Sequence, residues 1–238
     1  MPIALMHFFL LEDYRFMLHR IWNLPMDRCF FRRTCQFELA KEGELIRTAG
    51  KTAVVQGPYE YHHYMQNSLD DRGWGCAYRS LQTIWSWYVL NGYTDVPVPT
   101  HREIQEALVQ VGDKQSSFVG AKKWIGSLEL NYVLGHVLKV CKESGSEIDL
   151  NADELLCHFK SEGTPVMIGG GVLAHVILGV FIDEASSLVK YLVLDPHYTG
   201  PEEAKSIIQK GWCGWKPSTF WAKGPFYNLL LPGRPRIF

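Results

Sequence analysis

The hydrophobic period of this 238-residue chain changes between its two halves. Apolar residues first recur at helical spacing, whereas later they form short β-branched runs bounded by Gly, Asp and Ser. Helices followed by strands are typical of an α+β fold. The predicted helices cover residues 76–90, 127–140 and 151–160, with a further helix from the Thr100-x-x-Glu103 capping box to Gly112. The predicted strands cover 165–169, 175–182, 189–194 and 226–231, with a short helix between Gly200-Pro201 and Gly211.

The length of the chain fits one domain with a substantial core and is too short for two large domains. Regular patterns begin near Val54, while the residues before them mix apolar, basic and aromatic side chains without a clear period. We therefore expect one domain over residues 47–238. Residues 1–46 are interpreted as an N-terminal segment, the remnant of a longer N-terminal domain.

Charge and cysteine content exclude several classes of function. The formal net charge of −1 and the lack of a long Lys or Arg run argue against a nucleic-acid partner. The six cysteines are too scattered for a dense disulfide framework, which favours a reducing compartment. No CxxC or HxxxH pair predicts a metal site, and no cofactor is indicated. The apolar residues 1–11 are too few to span a bilayer, so no direct membrane insertion is expected.

Cys76 opens the predicted helix 76–90 and follows Gly73-Trp74-Gly75. A cysteine is a good nucleophile only as thiolate, and a helix N-terminus lowers its pKa. The two glycines allow a sharp turn and the close approach of a substrate. Cys76 is therefore a candidate nucleophile, although a buried structural cysteine would fit this segment equally well.

Asp195-Pro196-His197 directly follows an apolar predicted strand. In extended chain, residues two apart project to the same side, so Asp195 could orient the ring of His197 and support its positive charge. A nucleophile at a helix start and a base at a strand end are the parts that a papain-type site needs. The alternative is an Asp-Pro turn beside an incidental histidine.

Stabilisation of an oxyanion requires donors near the nucleophile. The backbone N–H of Cys76 is one candidate and a hydroxyl of Tyr61 or Tyr64 is the other; spacing does not choose between these tyrosines. His175 heads an apolar predicted strand, so it is a rival base or a satisfied core histidine. The triple glycine at 169–171 is interpreted as a hairpin bend or as a place where a substrate main chain passes close by. Trp124 is interpreted as a core residue or as a wall of the cleft.

Six strings along the chain match one known family in the expected order, from about residue 55 to the C-terminus. They are YHHYMQ at 61–66, DDRGWGCAYRSLQT at 70–83, PTHREIQ at 99–105, SEGTPVMIGGGVLAH at 161–175, DPHYTG at 195–200 and KGWCGWK at 210–216. On these strings the chain resembles the ubiquitin-fold-modifier-specific cysteine proteases. Within this family, the matching strings are closer in sequence to the longer, endoplasmic-reticulum-associated members.

The resemblance implies a papain-like fold in which a helical half, containing the nucleophile helix, packs on an antiparallel sheet. It also implies two activities on the ubiquitin-fold modifier: trimming its precursor to expose the C-terminal glycine, and releasing it from target lysines (deUFMylation). By resemblance, Cys76, Asp195 and His197 form the catalytic set and Tyr64 is the oxyanion tyrosine. The longer members imply an adaptor on the endoplasmic-reticulum membrane, and hence a location in the cytoplasm at the cytosolic face of that membrane.

Two alternatives to this function remain at this stage. The autophagy-type cysteine proteases share the Gly-Trp-Gly-Cys and Asp-Pro-His elements, although Gly-Trp-Cys-Gly-Trp and the triple glycine favour the first family. A non-catalytic module that binds the modifier is the other alternative. The intact set of Cys76, Asp195, His197 and Tyr64 argues against it.

Overall fold

A computed structural model describes residues 50–138, 140, 143–145, 152–170, 173–221 and 226–235. The predicted N-terminal segment 1–46 lies outside the described residues, and so do Asn151 and Gly171. Among the described residues, no helix is both long enough and apolar enough to cross a bilayer.

Helix α1, Cys76–Leu90, has the predicted bounds and forms the centre of the helical half. All of its residues except Val89 are buried, including the polar Arg79 and Gln82, so protein surrounds the helix on nearly every side. It packs against both the sheet and another helix, so that few of its side chains reach solvent. Cys76 is thus fixed at the start of the best-buried helix of the described chain.

The remaining helices agree with the sequence pattern to within a few residues. At the start of α2, Thr100 Oγ1 accepts the Glu103 N–H at 3.3 Å and Glu103 Oε2 accepts the Thr100 N–H at 2.7 Å, which is the predicted capping box. The helix that was predicted to reach residue 140 ends three residues earlier. The bounds are α2 His101–Gln110, α3 Ser127–Val137, α4 Ala152–Ser161 and α5 Ala204–Gln209.

The described strands form one antiparallel sheet of seven strands, with β1 joined at the side of β4. Along the main path the order is β2-β7-β3-β4-β5-β6. The long strand β4 pairs with β3 through its first half and with β1 through its second half. The bounds are β1 Lys51–Val54, β2 Glu143–Gly145, β3 Val166–Gly170, β4 Leu173–Asp183, β5 Leu188–Leu194, β6 Cys213–Pro217 and β7 Tyr227–Leu230.

The helices and the sheet meet in one core, which confirms the predicted α+β class. Helix α1 contacts β3 and β4, and α3 contacts β7. The sequence pattern did not predict β1, β2 or β6. Strand β1 has only four residues, and β6 contains Gly214 and Pro217, which are both rare inside strands.

We expect Leu81→Ala to lower the free energy of unfolding by about 2–5 kcal/mol, because the side chain is fully buried and its removal leaves a cavity. Leu188→Ala is the matched control, since Leu188 is 38% exposed at the start of β5. Urea denaturation followed by tryptophan fluorescence measures both. Equal losses in the two variants would contradict the assignment of the core to the α1–sheet interface.

Candidate active site

Cys76 is the first residue of α1 and is 7% exposed. Its N–H group belongs to the first turn, where the helix itself supplies no acceptor, and the partial positive charge of the helix start favours a thiolate. Gly73 has φ +80°, a conformation that strongly favours glycine. The chain can therefore turn into the helix directly before the nucleophile, as the sequence predicts.

Asp195 and His197 lie just beyond β5 in a turn, so the predicted extended conformation is wrong. Asp195 Oδ1 accepts the backbone N–H of His197 at 2.9 Å, which closes a local turn of the Asx type. The same oxygen accepts the His197 Nδ1–H at 2.5 Å. The turn thus brings together the two side chains that the extended chain was expected to align.

His197 and Cys76 shift each other's pKa in opposite directions. Burial raises the pKa of the Cys76 thiol, but the hydrogen bond and charge of His197 outweigh burial and hold that pKa below its ordinary value. Burial lowers the pKa of His197, but hydrogen bonds to Asp195 and Cys76 outweigh it and raise the pKa to about 9. The lowered pKa of the thiol and the raised pKa of the ring both favour a thiolate beside an imidazolium, which is the reactive form of a cysteine nucleophile.

The two ring nitrogens of His197 have separate surroundings. Nδ1 donates a hydrogen bond to Asp195. Nε2 is buried, and no nitrogen or oxygen of the described residues accepts a hydrogen bond from it. Nε2 is therefore the atom that remains for the Cys76 sulfur. Burial raises the pKa of the Asp195 carboxyl, but the hydrogen bonds from the side chain and the backbone of His197 outweigh burial and hold that pKa below its ordinary value, so Asp195 stays ionised.

Tyr61 and Tyr64, which spacing could not separate, have different partners. The Tyr61 hydroxyl donates to the backbone carbonyl of Asp195. The Tyr64 hydroxyl interacts with Cys76: burial first, and then the Cys76 charge and hydrogen bond, raise the pKa of Tyr64, so its hydroxyl stays protonated and able to donate. The Tyr64 ring stands edge-on to His197 at 5.2 Å. Tyr64 is the tyrosine beside the nucleophile.

His175, the rival base, lies on β4 beside Asp195. Its Nε2 is 3.8 Å from Asp195 Oδ2, and burial lowers its pKa to about 4, so it is neutral and weakly basic. Donor atoms of His175, Asp195 and His197 lie within 4.8 Å of one another, a spacing that a metal ion could bridge. The short bond between Asp195 and His197 already engages two of these atoms, and the arrangement fits an acid–base pair better than a metal site.

Ala174 is a contributor that the sequence did not reveal. Burial raises the pKa of the Cys76 thiol. His197 makes the largest opposing contribution, and the backbone hydrogen bond from Ala174 makes the next largest. A backbone donor has no signature in the side-chain sequence. Only the position of β4 beside the start of α1 places this N–H at the sulfur.

A cleft of about 360 Å³ opens at Cys76. Trp124, which the sequence left as core or cleft wall, is a wall: it is 48% exposed, and its Nε1–H donates to the Gly73 carbonyl at 2.6 Å. Gly169 and Gly170 end β3 in the same cleft, where Gly170 pairs with Leu173 of β4. The cleft is also lined by three exposed apolar side chains, Leu128, Leu173 and Phe226.

The chain matches the model of Peptidase family C78 over residues 50–230. A Ufm1-specific protease of Caenorhabditis elegans is 50% identical over 245 residues, which cover 94% of this chain and 42% of that protein. Ufm1-specific protease 2 of Homo sapiens is 51% identical over 246 residues, which cover 95% of this chain and 52% of that protein. The chain thus spans about half the length, or less, of the curated relatives that it matches.

The chain is also similar in fold and sequence to a solved structure. The crystal structure of UfSP from C. elegans matches with a TM-score of 0.72 at 52% sequence identity. The match covers 79% of this chain and 35% of that chain.

The paired charges predict how Cys76 reacts with iodoacetamide. At about pH 6, below the ordinary thiol pKa of about 8.5, we expect Cys76 to be alkylated faster than an ordinary thiol, because its lowered pKa leaves more thiolate present. His197→Asn removes the positive charge but not the burial, so the thiol pKa rises and the rate at this pH falls at least about tenfold. Mass spectrometry of the Cys76 peptide against time measures the rate.

His136→Asn, near the end of α3, is the matched control for this experiment and should alkylate like the unchanged protein. Above about pH 9 His197 loses its proton while the thiolate persists, so alkylation should not decline there. If the rate at low pH did not depend on His197, the imidazolium would not be what stabilises the thiolate.

Proposed function

The chain belongs to peptidase family C78, and we propose that it is a thiol protease that acts on the ubiquitin-fold modifier Ufm1. The resemblance found in the sequence is thereby confirmed at the level of the family. The observation that carries the proposal is that the buried Cys76 at the start of α1 lies beside His197, whose ring is bonded to Asp195; this arrangement lowers the pKa of the thiol and raises that of the ring. Relatives that are about half identical are named Ufm1-specific proteases, which supports the choice of substrate.

In the proposed reaction the Cys76 thiolate attacks the carbonyl carbon of the terminal glycine of Ufm1. The Tyr64 hydroxyl and the Cys76 N–H donate to the oxygen that becomes negative. The His197 imidazolium gives its proton to the leaving nitrogen as the C–N bond breaks, and a thioester remains on Cys76. Neutral His197 then takes a proton from water, which attacks the thioester, and the free carboxyl group and the thiolate are restored.

The same reaction serves two substrates that differ only in the leaving amine. In the precursor, the leaving group is the α-amine of the residue after the glycine. In a conjugate, it is the ε-amine of a target lysine. We propose both precursor processing and deconjugation, because the attacked carbonyl is the same in the two substrates and each offers His197 a leaving nitrogen to protonate.

The shape of the cleft supports a substrate that ends in glycine. Gly169 and Gly170 present main chain without side chains, while Trp74 and Trp124 stand on the same cleft. An extended tail with a small last residue could pass close to the Cys76 sulfur, whereas a large side chain at that point would meet the tryptophan walls. The apolar cleft residues Leu128, Leu173 and Phe226 would contact the tail farther from the bond that breaks.

The domain division and the cellular location also belong to the proposal. We assign residues 47–238 to the peptidase domain and residues 1–46 to a separate N-terminal segment; the family match beginning at residue 50 supports this division. We also propose recruitment by an adaptor to the cytosolic face of the endoplasmic reticulum, as the resemblance of the sequence to the longer members implies. Sedimentation with microsomes, before and after removal of their membrane proteins by protease, tests recruitment by an adaptor.

We expect the purified protein to form a covalent adduct with Ufm1 that carries a thiol-reactive group at its C-terminus. The adduct should appear by intact mass and should be lost in Cys76→Ala, because Cys76 is the attacking group. Cys157→Ala is the matched control: Cys157 is an exposed free cysteine outside the cleft lining, so this variant should retain the adduct.

A probe built on an autophagy-type modifier separates the alternatives in the same experiment. An adduct with that probe alone would move the substrate to the other modifier. The lack of an adduct with either probe would contradict catalysis and favour a module that only binds the modifier.

Tyr64→Phe should lower kcat for cleavage of the Ufm1 precursor by about 10²–10³-fold, because one oxyanion donor is lost. KM should change little, since the hydroxyl acts on charge that develops in the transition state. Tyr132→Phe on α3 removes the same group from a 39% exposed side chain and should leave kcat unchanged. Comparable kcat values in the two variants would show that Tyr64 is not an oxyanion donor.

A further inference from the structure

We propose that Asp71 is a positioning residue, whose buried carboxylate holds the Tyr64 hydroxyl in place at Cys76 by tying Met65 to helix α1. The inference rests on the proposed function, because it concerns how the oxyanion tyrosine is oriented. Asp71 itself does not contact the substrate cleft.

Asp71 is fully buried, and its carboxylate lies beside donor groups of three separate segments. Its Oδ2 lies 2.5 Å from Arg79 Nε, one turn into α1, and 3.1 Å from His101 Nε2 at the start of α2. Its Oδ1 accepts the backbone N–H of Met65 at 2.9 Å. A buried carboxylate is tolerated only when its oxygens are bonded in this way, and the same bonds fix the positions of the groups that donate.

The chain directly after Tyr64 has a conformation that its own residues do not favour. Met65, Asn67 and Ser68 all have positive φ, at 66°, 57° and 58°. The Met65 side chain is 41% exposed, so core packing does not hold it in place. Several hydrogen bonds hold this segment, and two of them come from the side of α1: the Met65 N–H donates to Asp71, and Arg79 Nη2 donates to the Gln66 carbonyl at 3.0 Å.

Asp71 is also held against the residue before the nucleophile. Its carbonyl accepts the Gly75 N–H at 2.8 Å. A Cβ on Gly75 would lie 2.6 Å from both Cβ and Oδ2 of Asp71, so the carboxylate occupies the space that a side chain would need. One residue thus touches the segment of Tyr64 on one side and the segment of Cys76 on the other, which is what fixing the distance between them requires.

The carboxylate cannot be replaced by its amide without losing one of these ties. An amide has one acceptor oxygen and one donor group. If the oxygen of an Asn turns to Arg79, its NH₂ meets the Met65 N–H, donor against donor. Asp71→Asn should therefore release Met65 and let the Tyr64 hydroxyl move away from Cys76.

The test compares Asp71→Asn with Asp70→Asn, the same change one residue earlier in an exposed side chain whose described hydrogen bonds all go to Arg72. We expect Asp71→Asn to lower kcat for Ufm1 precursor about tenfold or more, with KM nearly constant, and Asp70→Asn to match the unchanged protein. Alkylation of Cys76 by iodoacetamide forms no oxyanion, and Tyr64 makes the smallest of the named contributions to the thiol pKa, so alkylation should slow far less in Asp71→Asn than kcat falls, and not at all in Asp70→Asn.

A double-mutant cycle with Tyr64→Phe separates positioning from a general loss of structure. If Asp71 acts through Tyr64, Asp71→Asn should lower kcat little further once the hydroxyl is gone. A full additional loss of kcat in the Tyr64→Phe background, or a parallel fall in alkylation, would overturn the proposal. Asp71→Glu replaces Asp71→Asn if the latter fails to unfold cooperatively, because it keeps the charge for Arg79 but displaces the carboxylate from Met65.

Cleavage of the Ufm1 precursor by the unchanged protein is measured first, because the inference rests on that activity. Absence of precursor cleavage by the unchanged protein would overturn the proposed function and this inference together. Cleavage by the unchanged protein with equal kcat in Asp71→Asn would overturn the inference alone.

Discussion

A thiolate that is almost wholly covered by protein is the constraint on which the rest of the site depends. Burial by itself would raise the pKa of Cys76 and leave an unreactive thiol. The charge is instead compensated from within, first by His197, then by the N–H of Ala174, and then by Tyr64. These groups come from three distant parts of the chain, so the nucleophile is reactive only when helix, sheet and loop are in register.

The segment 61–64 connects the two halves that must meet. The Tyr64 N–H donates to the Pro196 carbonyl at 2.9 Å, and the Tyr61 hydroxyl donates to the Asp195 carbonyl. His63 adds its Nδ1–H to the carbonyls of Tyr64 and Tyr198. The turn that carries the base is thus bonded to the segment that precedes the nucleophile. The side chains of Tyr61 and His63 bond to the backbone of the turn, and the Tyr64 hydroxyl reaches the Cys76 sulfur.

Much of this arrangement could be predicted from local sequence signals, and the remainder depends on contacts that spacing does not encode. Helix α1 and the α2 capping box were predicted because their signals are local. The extended conformation at residues 195–197 was predicted wrongly, since a side chain of the Asx type can replace the strand pattern with a turn. The choice between Tyr61 and Tyr64 needed the family resemblance or the fold, because both stand at the same loop. Ala174 was missed because only its backbone acts.

Two histidines border the carboxylate of Asp195, yet only one of them carries charge. Their rings are 5.3 Å apart and both are mostly buried, so desolvation lowers the pKa of each. His197 has a direct bond to Asp195 and the thiolate as a second partner, and its pKa rises to about 9. The Nε2 atom of His175 lies 3.8 Å from Asp195 Oδ2, too far for a hydrogen bond. Burial and the positive charge of the His197 ring therefore lower the pKa of His175 to about 4. Because His175 stays neutral, the carboxylate serves one imidazolium, and the proton that the leaving amine needs stays on the ring beside the sulfur.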